Sequence, residues 1–231
     1  DLRGHVLTVS NFCHTVGGKM TIKDSKGTGK IVGQVQNNLG DLTLEGVTVE
    51  GCVAAFGGNV IIDGCTIDNK NDIMGGIGVT VTAANFIDIG ATNPKVIIKN
   101  STVKGAPFTL DSGEVIYMWC LHTQDGGILE IESGNFIGKV QIDSATDVTI
   151  TGGTFTADIS ALLGKGYTQN ENGEVVKGDP AADSVLTITE ALDLGASKAH
   201  NVYTEVKYYV TGEITEVYNT KYGNMKIKDE A

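Results

Sequence analysis

The chain has 231 residues, including 31 Gly, 3 Pro and 4 Cys, and its formal net charge is −11. A hydrophobic fraction of 41% is enough for a continuous core and excludes disorder, and without a G-X-Y period the glycines do not indicate collagen. The sequence contains no run of about 18 apolar residues, so it predicts no membrane span. The acidic net charge argues against binding to duplex nucleic acid, which needs a cationic face on the protein.

A short pattern recurs along most of the chain: apolar, any residue, apolar, two further residues, then small, polar and large apolar. Copies begin at residues 42, 60, 79, 96, 129 and 148, and most neighbouring starts are 17 to 19 residues apart. The one longer interval fits a further copy near residues 115–117, and residues 6–8 and 20–22 fit the first half of the pattern.

Each copy reads as two short strands joined by a tight corner, because alternation places every second side chain on one face of a strand. Such a unit cannot bury its apolar face alone, so the copies must stack on one another. A turn of about 18 residues is too short for a helix-containing leucine-rich repeat or a propeller blade. The sequence therefore predicts an all-β parallel β-helix of about eight coils, with a β-sandwich of many short strands as the alternative.

Stacking of the copies predicts three inward columns of large side chains and one column of small residues at the corner. The first inward column is Leu42, Val60, Val79, Val96, Leu129 and Val148. The second is Leu44, Ile62, Val81, Ile98, Ile131 and Ile150. The third is Val49, Ile67, Phe86, Val103, Phe136 and Phe155. The small column is Val47, Cys65, Ala84, Ser101, Gly134 and Gly153.

Two outward columns carry polar side chains. One is Thr48, Thr66, Asn85, Thr102, Asn135 and Thr154, which fits corner chemistry or, as the alternative, a hydroxyl array that binds ice or a glycan. In the other, Glu45 and Asp63 are expected one coil apart, close enough to raise one pKa or chelate a cation. Ordinary surface charge is the competing interpretation of this pair.

Beyond the repeat, the pattern changes. Residues 158–164 predict a short helix that caps the C-terminal mouth of the β-helix, and residues 166–176 predict a hairpin that turns at 171–173. Residues 177–184 are the predicted linker. A second module is expected over 185–231, with a capping box from Thr187 to Glu190 that opens a helix near 189–199, a strand over 206–214, a turn over 219–224 and another strand from Met225. The predicted division is thus 1–164, 165–184 and 185–231.

Residues 18–176 resemble the pectate-lyase-like right-handed β-helix of large exported proteins from gut bacteria. The segments GGTF at 152–155, DIS at 158–160 and GY at 166–167 are similar to the run that closes such helices in bacterial cell-surface proteins. Residues 186–228 resemble the opening of a bacterial OB-like domain, through TEAL at 189–192, YYVTG at 208–212 and TKYGN at 220–224. The resemblance implies an extracellular or cell-surface location and a partial OB-like βαβ module after the β-helix. OB folds often bind oligonucleotides or sugars. Because the chain begins at Asp1, we also expect it to be a piece of a longer protein.

Fold does not give function, and the residues favour a non-catalytic role over a polysaccharide lyase or glycoside hydrolase. The sequence has no Asn-Thr-Asp, Gly-His-Gly or Arg-x-Lys motif for either reaction, and its single arginine, Arg3, lies outside the complete coils. The four cysteines, at 13, 52, 65 and 120, form no CxxC and predict buried thiols rather than a zinc site. We therefore expect no metal site, no cofactor and no enzymatic activity.

The least regular coil offers the best candidate for binding. Tyr117 and Trp119 could form a platform that stacks on sugar faces, and His122 and Asp125 could fix hydroxyl groups; the alternative is that Tyr117 and Trp119 fill the core. The prediction is a rigid stalk or adhesin that binds glycans or the surface proteins of a host or another cell. The sequence does not set its oligomeric state.

Overall fold

The computed structural model describes residues 1–14, 17–83, 93–164, 166–177, 185–196, 209–210, 212–219 and 224–228. The chain divides into two units, residues 1–164 with 168–176 and residues 165–167 with 177–231. The strands up to residue 177, in chain order, are β1 (Val6–His14), β2 (Lys19–Lys23), β3 (Lys30–Asn37), β4 (Asp41–Glu45), β5 (Thr48–Glu50), β6 (Val53–Ala55), β7 (Asn59–Asp63), β8 (Thr66–Asp68), β9 (Val79–Thr82), β10 (Lys95–Lys99), β11 (Ser101–Lys104), β12 (Pro107–Thr109), β13 (Val115–Tyr117), β14 (Trp119–Gln124), β15 (Gly127–Ile131), β16 (Gly134–Ile137), β17 (Lys139–Gln141), β18 (Thr146–Ile150), β19 (Thr154–Phe155), β20 (Tyr167–Gln169) and β21 (Val175–Lys177).

The first unit is all-β and is built around a curled parallel sheet. A six-stranded sheet runs in the order β18-β15-β10-β7-β4-β2. The second sheet consists of two ladders that share β3: β3-β5-β8-β11-β16-β19 and β3-β6-β9-β14-β17, with β1 added against β3. The chain visits the six-stranded sheet, the first ladder and the second ladder in turn, and we call one such circuit a winding. This arrangement is consistent with a β-helix or solenoid.

Like side chains lie over one another inside the windings, as the repeat predicted. In the six-stranded sheet, Leu42 pairs with Val60, which pairs with Val96, and Leu44, Ile62 and Ile98 stack in the same register. In the first ladder the buried column is Ile31, Val49, Ile67, Val103, Phe136 and Phe155. Its last two rings stack with their centroids 4.4 Å apart. Burial of these columns supplies the hydrophobic stabilisation of the unit.

The second ladder adds a buried column that the repeat did not predict, and it corrects the place of Val79 and Val81. Val79 pairs with Val53 and Leu121, not with Val60 or Val96. Val81 likewise pairs with Ala55 and Thr123. The error has a simple cause, because a Val-x-Val segment alternates in the same way on every face of a winding. The predicted copy at 84–86 lies outside the described residues.

Each winding contributes one strand to the six-stranded sheet, so the described residues form six windings. The prediction of about eight coils is therefore too high. The expected copy at 115–117 is instead β13, which pairs antiparallel with β12 in a hairpin. Residues 6–8 belong to β1 and pair with β3, whereas residues 20–22 pair with 42–44 as predicted.

The end of the first unit follows the prediction in part. The helix expected over 158–164 is only a 3-10 helix at Ser160–Leu162, where Asp158 Oδ1 accepts a hydrogen bond from Ser160 N at 3.0 Å. The predicted hairpin is confirmed, since β20 pairs with β21 and Gly173 N donates to Asn170 O. Glu174 also bridges to Thr154, so the hairpin lies against the edge of β19.

In the second unit, β22 (Val185–Leu186) pairs in parallel with β23 (Tyr209–Val210), and β24 (Glu213–Asn219) pairs antiparallel with β25 (Asn224–Lys228). The helix α1 spans Ile188–Ala196. The capping box is confirmed, because Glu190 N donates to Thr187 Oγ1 at 3.2 Å and Thr187 N donates to Glu190 Oε2 at 2.9 Å. Parts of four predicted elements lie outside the described residues. They are the linker beyond residue 177, helix residues 197–199, strand residues 206–208 and 211, and turn residues 220–223. No described helix has the length and apolar character needed to cross a bilayer.

Candidate functional site

Two excursions leave the windings at the corner between the first and second ladders. Residues 69–78 connect β8 to β9, and residues 105–118 connect β11 to β14. The two meet where Ala106 N donates to Gly76 O at 2.8 Å and Gly78 N donates to Trp119 O at 2.9 Å. The buried side chain of Asn69 braces the first excursion, with its Nδ2 donating to the carbonyls of residues 73 and 77. The site residues predicted from the sequence begin at this junction.

The structure brings Tyr117, Trp119 and His122 to one region of the surface. Tyr117 ends β13 and Trp119 begins β14, three residues before His122. The Trp119 and His122 rings meet edge to face, with centroids 6.3 Å apart and an interplanar angle of 72°. All three residues are half-buried, while Cys120 and Leu121 occupy the core. Tyr117 and Trp119 are therefore not simply core residues.

Asp125, the fourth predicted site residue, does not join this group. It follows the far end of β14, about 20 Å along the strand from Trp119, and its side chain is exposed. Its backbone adopts a φ of 59°, and its N donates to Asp143 Oδ2 at 2.8 Å. Asp125 belongs to a turn between neighbouring windings.

Two lysines that the sequence did not indicate complete the region. Lys104 Nζ lies 5.1 Å from the centroid of the Tyr117 ring, and Lys139 Nζ lies 5.8 Å from that of Trp119. Lys139 is positioned by the parallel pairing of its Cα with that of Trp119. We call Lys104, Tyr117, Trp119, His122 and Lys139 the corner cluster.

The close approach of the strands at the corner cluster depends on Gly138. Its φ is +128°, and a Cβ added there would lie 2.2 Å from the carbonyl oxygen of Met118. The next residue, Lys139, donates its N–H to that same oxygen at 3.0 Å. A residue with a side chain at 138 would push β17 away from β14 and separate Lys139 from Trp119.

Three polar groups of the corner cluster have no ion-pair or hydrogen-bond partner in the described part of the chain. Neither Lys104 nor Lys139 has a carboxylate within 4.0 Å among the described residues, although other outward lysines pair across windings: Lys30 with Glu50 at 3.1 Å, Lys95 with Glu130 at 2.7 Å and Lys99 with Asp63 at 3.3 Å. His122 Nδ1 is buried and has no hydrogen-bond partner in the described part of the chain. Buried polar atoms are normally satisfied, so this nitrogen distinguishes the cluster from the rest of the described surface. What sets Lys104 and Lys139 apart from other lysines without a carboxylate partner is that each ammonium group lies over an aromatic ring.

Models of known protein families, curated proteins and solved structures contain no match to this chain. The geometry of its own residues is therefore the basis for assigning a chemistry to the corner cluster.

A second surface feature is a cleft of about 380 Å³ on the outward face of the six-stranded sheet, between β2, β4, β7 and β10. Its floor includes Thr43 and Ile61. Its polar rim is paired internally, with Asn59 Nδ2 donating to Asp41 Oδ1 at 2.7 Å and Lys19 Nζ 3.8 Å from Asp41 Oδ2. The cleft thus offers a ligand fewer unpaired polar groups than the corner cluster does.

Glu45 and Asp63 are register neighbours, as predicted, but the pKa of Asp63 is lowered and not raised. Asn100 Nδ2 donates to Asp63 Oδ1 at 3.0 Å, and this bond holds the pKa of Asp63 below its ordinary value. Burial opposes the effect and Lys99 adds to it. Within the described residues, no three His, Cys, Asp or Glu side chains are grouped so that they could hold a metal ion.

The cysteines that the structure describes are free and buried, as predicted. Burial raises the pKa of both Cys52 and Cys120 to about 12 and also raises the pKa of Cys65. These thiols stay protonated near neutral pH and are poor nucleophiles. The side chain of Cys13 lies outside the described residues.

Proposed function

We propose that this chain is a non-catalytic segment of an exported bacterial cell-surface protein, a right-handed parallel β-helix that acts as a rigid stalk or adhesin and binds glycans at the corner cluster. The in-register columns of the first unit support the β-helix. Right-handedness is supported by the strong preference of parallel crossover connections for that hand. The resemblance of residues 18–176 to β-helices of exported proteins supports the location.

The observation that carries glycan binding is the half-buried Trp119 with the half-buried imidazole ring of His122 edge to face beside it. An indole offers a rigid apolar face to the C–H groups of a sugar ring, and a nearby polar atom fixes a hydroxyl group. Tyr117, two residues before Trp119, is the second half-buried aromatic side chain of the cluster. This combination of stacking face and hydrogen-bonding group suits a saccharide better than it suits catalysis, because no paired acid and base accompany it among the residues that the structure describes.

For the second unit we propose the opening of an OB-like module. The capped helix α1 and the β24–β25 hairpin support it, together with the resemblance of residues 186–228. Oligonucleotide or sugar binding by this module is the alternative function of the chain, and polysaccharide cleavage on the β-helix is the other.

The test is a glycan array probed with the wild-type chain and with Trp119→Ala. Truncation of a central aromatic anchor typically costs about 2 kcal/mol or more, so we expect a loss of affinity of roughly thirtyfold. Trp119→Phe, which keeps an aromatic face, should retain most of the binding. Thermal unfolding of each variant, followed by circular dichroism, separates lost binding from lost folding.

Thr102→Ala is the matched control, because Thr102 lies on the outward threonine column, which stacks from Thr48 through Thr66. Its binding should equal that of the wild type. Binding that follows Thr102 instead of Trp119 would overturn the assignment to the corner cluster. Release of unsaturated products from pectin or another uronate would overturn the non-catalytic role.

A further inference from the structure

The corner cluster carries positive charge that the protein itself does not neutralise. Lys104 and Lys139 lie over aromatic rings instead of beside carboxylates, in a chain whose formal net charge is −11. A cation–π contact at a partly exposed site is weaker than a charge-assisted hydrogen bond. Each ammonium group therefore keeps most of its capacity to bind an anion.

The position of these two lysines relates that charge to the proposed stacking surface. Lys139 is the register neighbour of Trp119, and Lys104 precedes the excursion whose hairpin ends at Tyr117. A sugar ring that packs against Trp119 or Tyr117 would displace the ammonium group from the face of that ring and leave it beside the substituents of the sugar. Neutral hydroxyl substituents gain little from this arrangement, whereas a sulfate ester or a carboxylate gains an ion pair with an ammonium group.

We infer that the corner cluster selects saccharides bearing an anionic group, which Lys104 and Lys139 bind while the sugar ring stacks on Trp119 and Tyr117. This inference rests on the proposed glycan-binding function and adds the chemical class of the ligand. The shared feature is the anionic group, and sulfate esters and uronic acids are its two main sources in polysaccharides.

The experiment uses an array of matched glycans, in which each backbone is present unmodified, sulfated, and as a uronic acid with its neutral methyl ester. The wild-type chain should bind the charged member of a pair at least about tenfold more tightly, as expected for a charge-assisted contact. Preference for the sulfated or for the carboxylated members identifies the source of the anion. Binding of charged members should weaken as NaCl is raised, because salt screens the ammonium groups.

Lys104→Gln and Lys139→Gln should each remove most of the preference for charged glycans, measured as the ratio of binding to the charged and neutral members of each matched pair. Lys23→Gln is the control, because Lys23 is an exposed lysine on β2 and its replacement changes the net charge equally. Equal binding of charged and neutral members, or equal effects of the three substitutions, would overturn the anion selectivity and leave glycan binding intact. Absence of binding to every saccharide on the array would overturn both proposals.

Discussion

At the scale of single residues, Asp24 shows how one carboxylate organises a loop. Its Oδ1 accepts hydrogen bonds from Gly4 N at 2.6 Å and Lys26 N at 3.4 Å, and its Oδ2 accepts one from Gly29 N at 2.6 Å. Burial raises the pKa of Asp24, but these backbone donors outweigh it and hold the pKa below the ordinary value of 3.8. The carboxylate thereby ties the first residues of the chain to the loop before β3.

This depressed pKa predicts acid sensitivity. Below about pH 4 the unfolded chain takes up a proton at Asp24 before the folded chain does, so the stability that Asp24 contributes is present at neutral pH and is lost as the pH falls through the folded pKa. The melting temperature of Asp24→Asn should be lower than that of the wild type at pH 7 and should converge with it towards pH 2. Melting curves across this range measure the effect.

Asp111→Asn, a change in the exposed turn of the β12–β13 hairpin, is the control and should keep the wild-type dependence of melting temperature on pH. If the melting temperature of Asp24→Asn stays below that of the wild type by the same amount at every pH, the role assigned to Asp24 is contradicted.

At the scale of the element, the start of β16 has room only for glycine, although other windings carry larger residues at this corner, such as Val47 and Ser101. Ser101 and Gly134 are register neighbours in β11 and β16. Gly134 has a φ of +136°, and an added Cβ would lie 2.2 Å from the carbonyl oxygen of Ser101. Close backbone contact therefore explains the small residue at Gly134. It does not explain the serine at Ser101, which accommodates a Cβ.

Gly134→Ala should accordingly destabilise the first unit by about 1–3 kcal/mol, the usual cost of a strained backbone residue, with any unrelieved clash adding to it. Urea unfolding followed by tryptophan fluorescence measures the change. Gly164→Ala is the control, since an added Cβ there meets no atom within 4 Å and the backbone is outside the left-handed region; it should change stability by less than about 0.5 kcal/mol. Equal stability of the two variants would show that the corner tolerates side chains.

At the scale of the whole molecule, the sequence predicts columns better than it predicts which face carries them. Leu44, Ile62 and Ile98 could be placed together because burial alternates with the pleat. Val79 could not, because the excursion at 69–78 moves β9 to the second ladder without changing its local pattern. The same limit applies to the site. Trp119 and His122 are close in sequence and stay close in space, but contact between Trp119 and Lys139 depends on the register between two windings separated by unequal excursions.

That register can be tested by cysteine crosslinking in a Cys13→Ser background. Cα atoms of register neighbours are about 4.8 Å apart, within the range that a disulfide spans. Asp63 is paired with Lys99 in the structure, whereas the repeat places Thr82 one coil after Asp63. The structure therefore predicts that Asp63→Cys with Lys99→Cys forms a disulfide under mild oxidation and that Asp63→Cys with Thr82→Cys does not.

Thr82→Cys with Gln124→Cys is the positive control, since β9 and β14 pair these two positions. The native thiols at 52 and 120, with their pKa raised to about 12 by burial, should not compete. Mass spectrometry of peptides from non-reduced protein identifies each disulfide. A disulfide between positions 63 and 82, without one between 63 and 99, would contradict the structure, because it would place β9 next to β7 as the sequence repeat predicts.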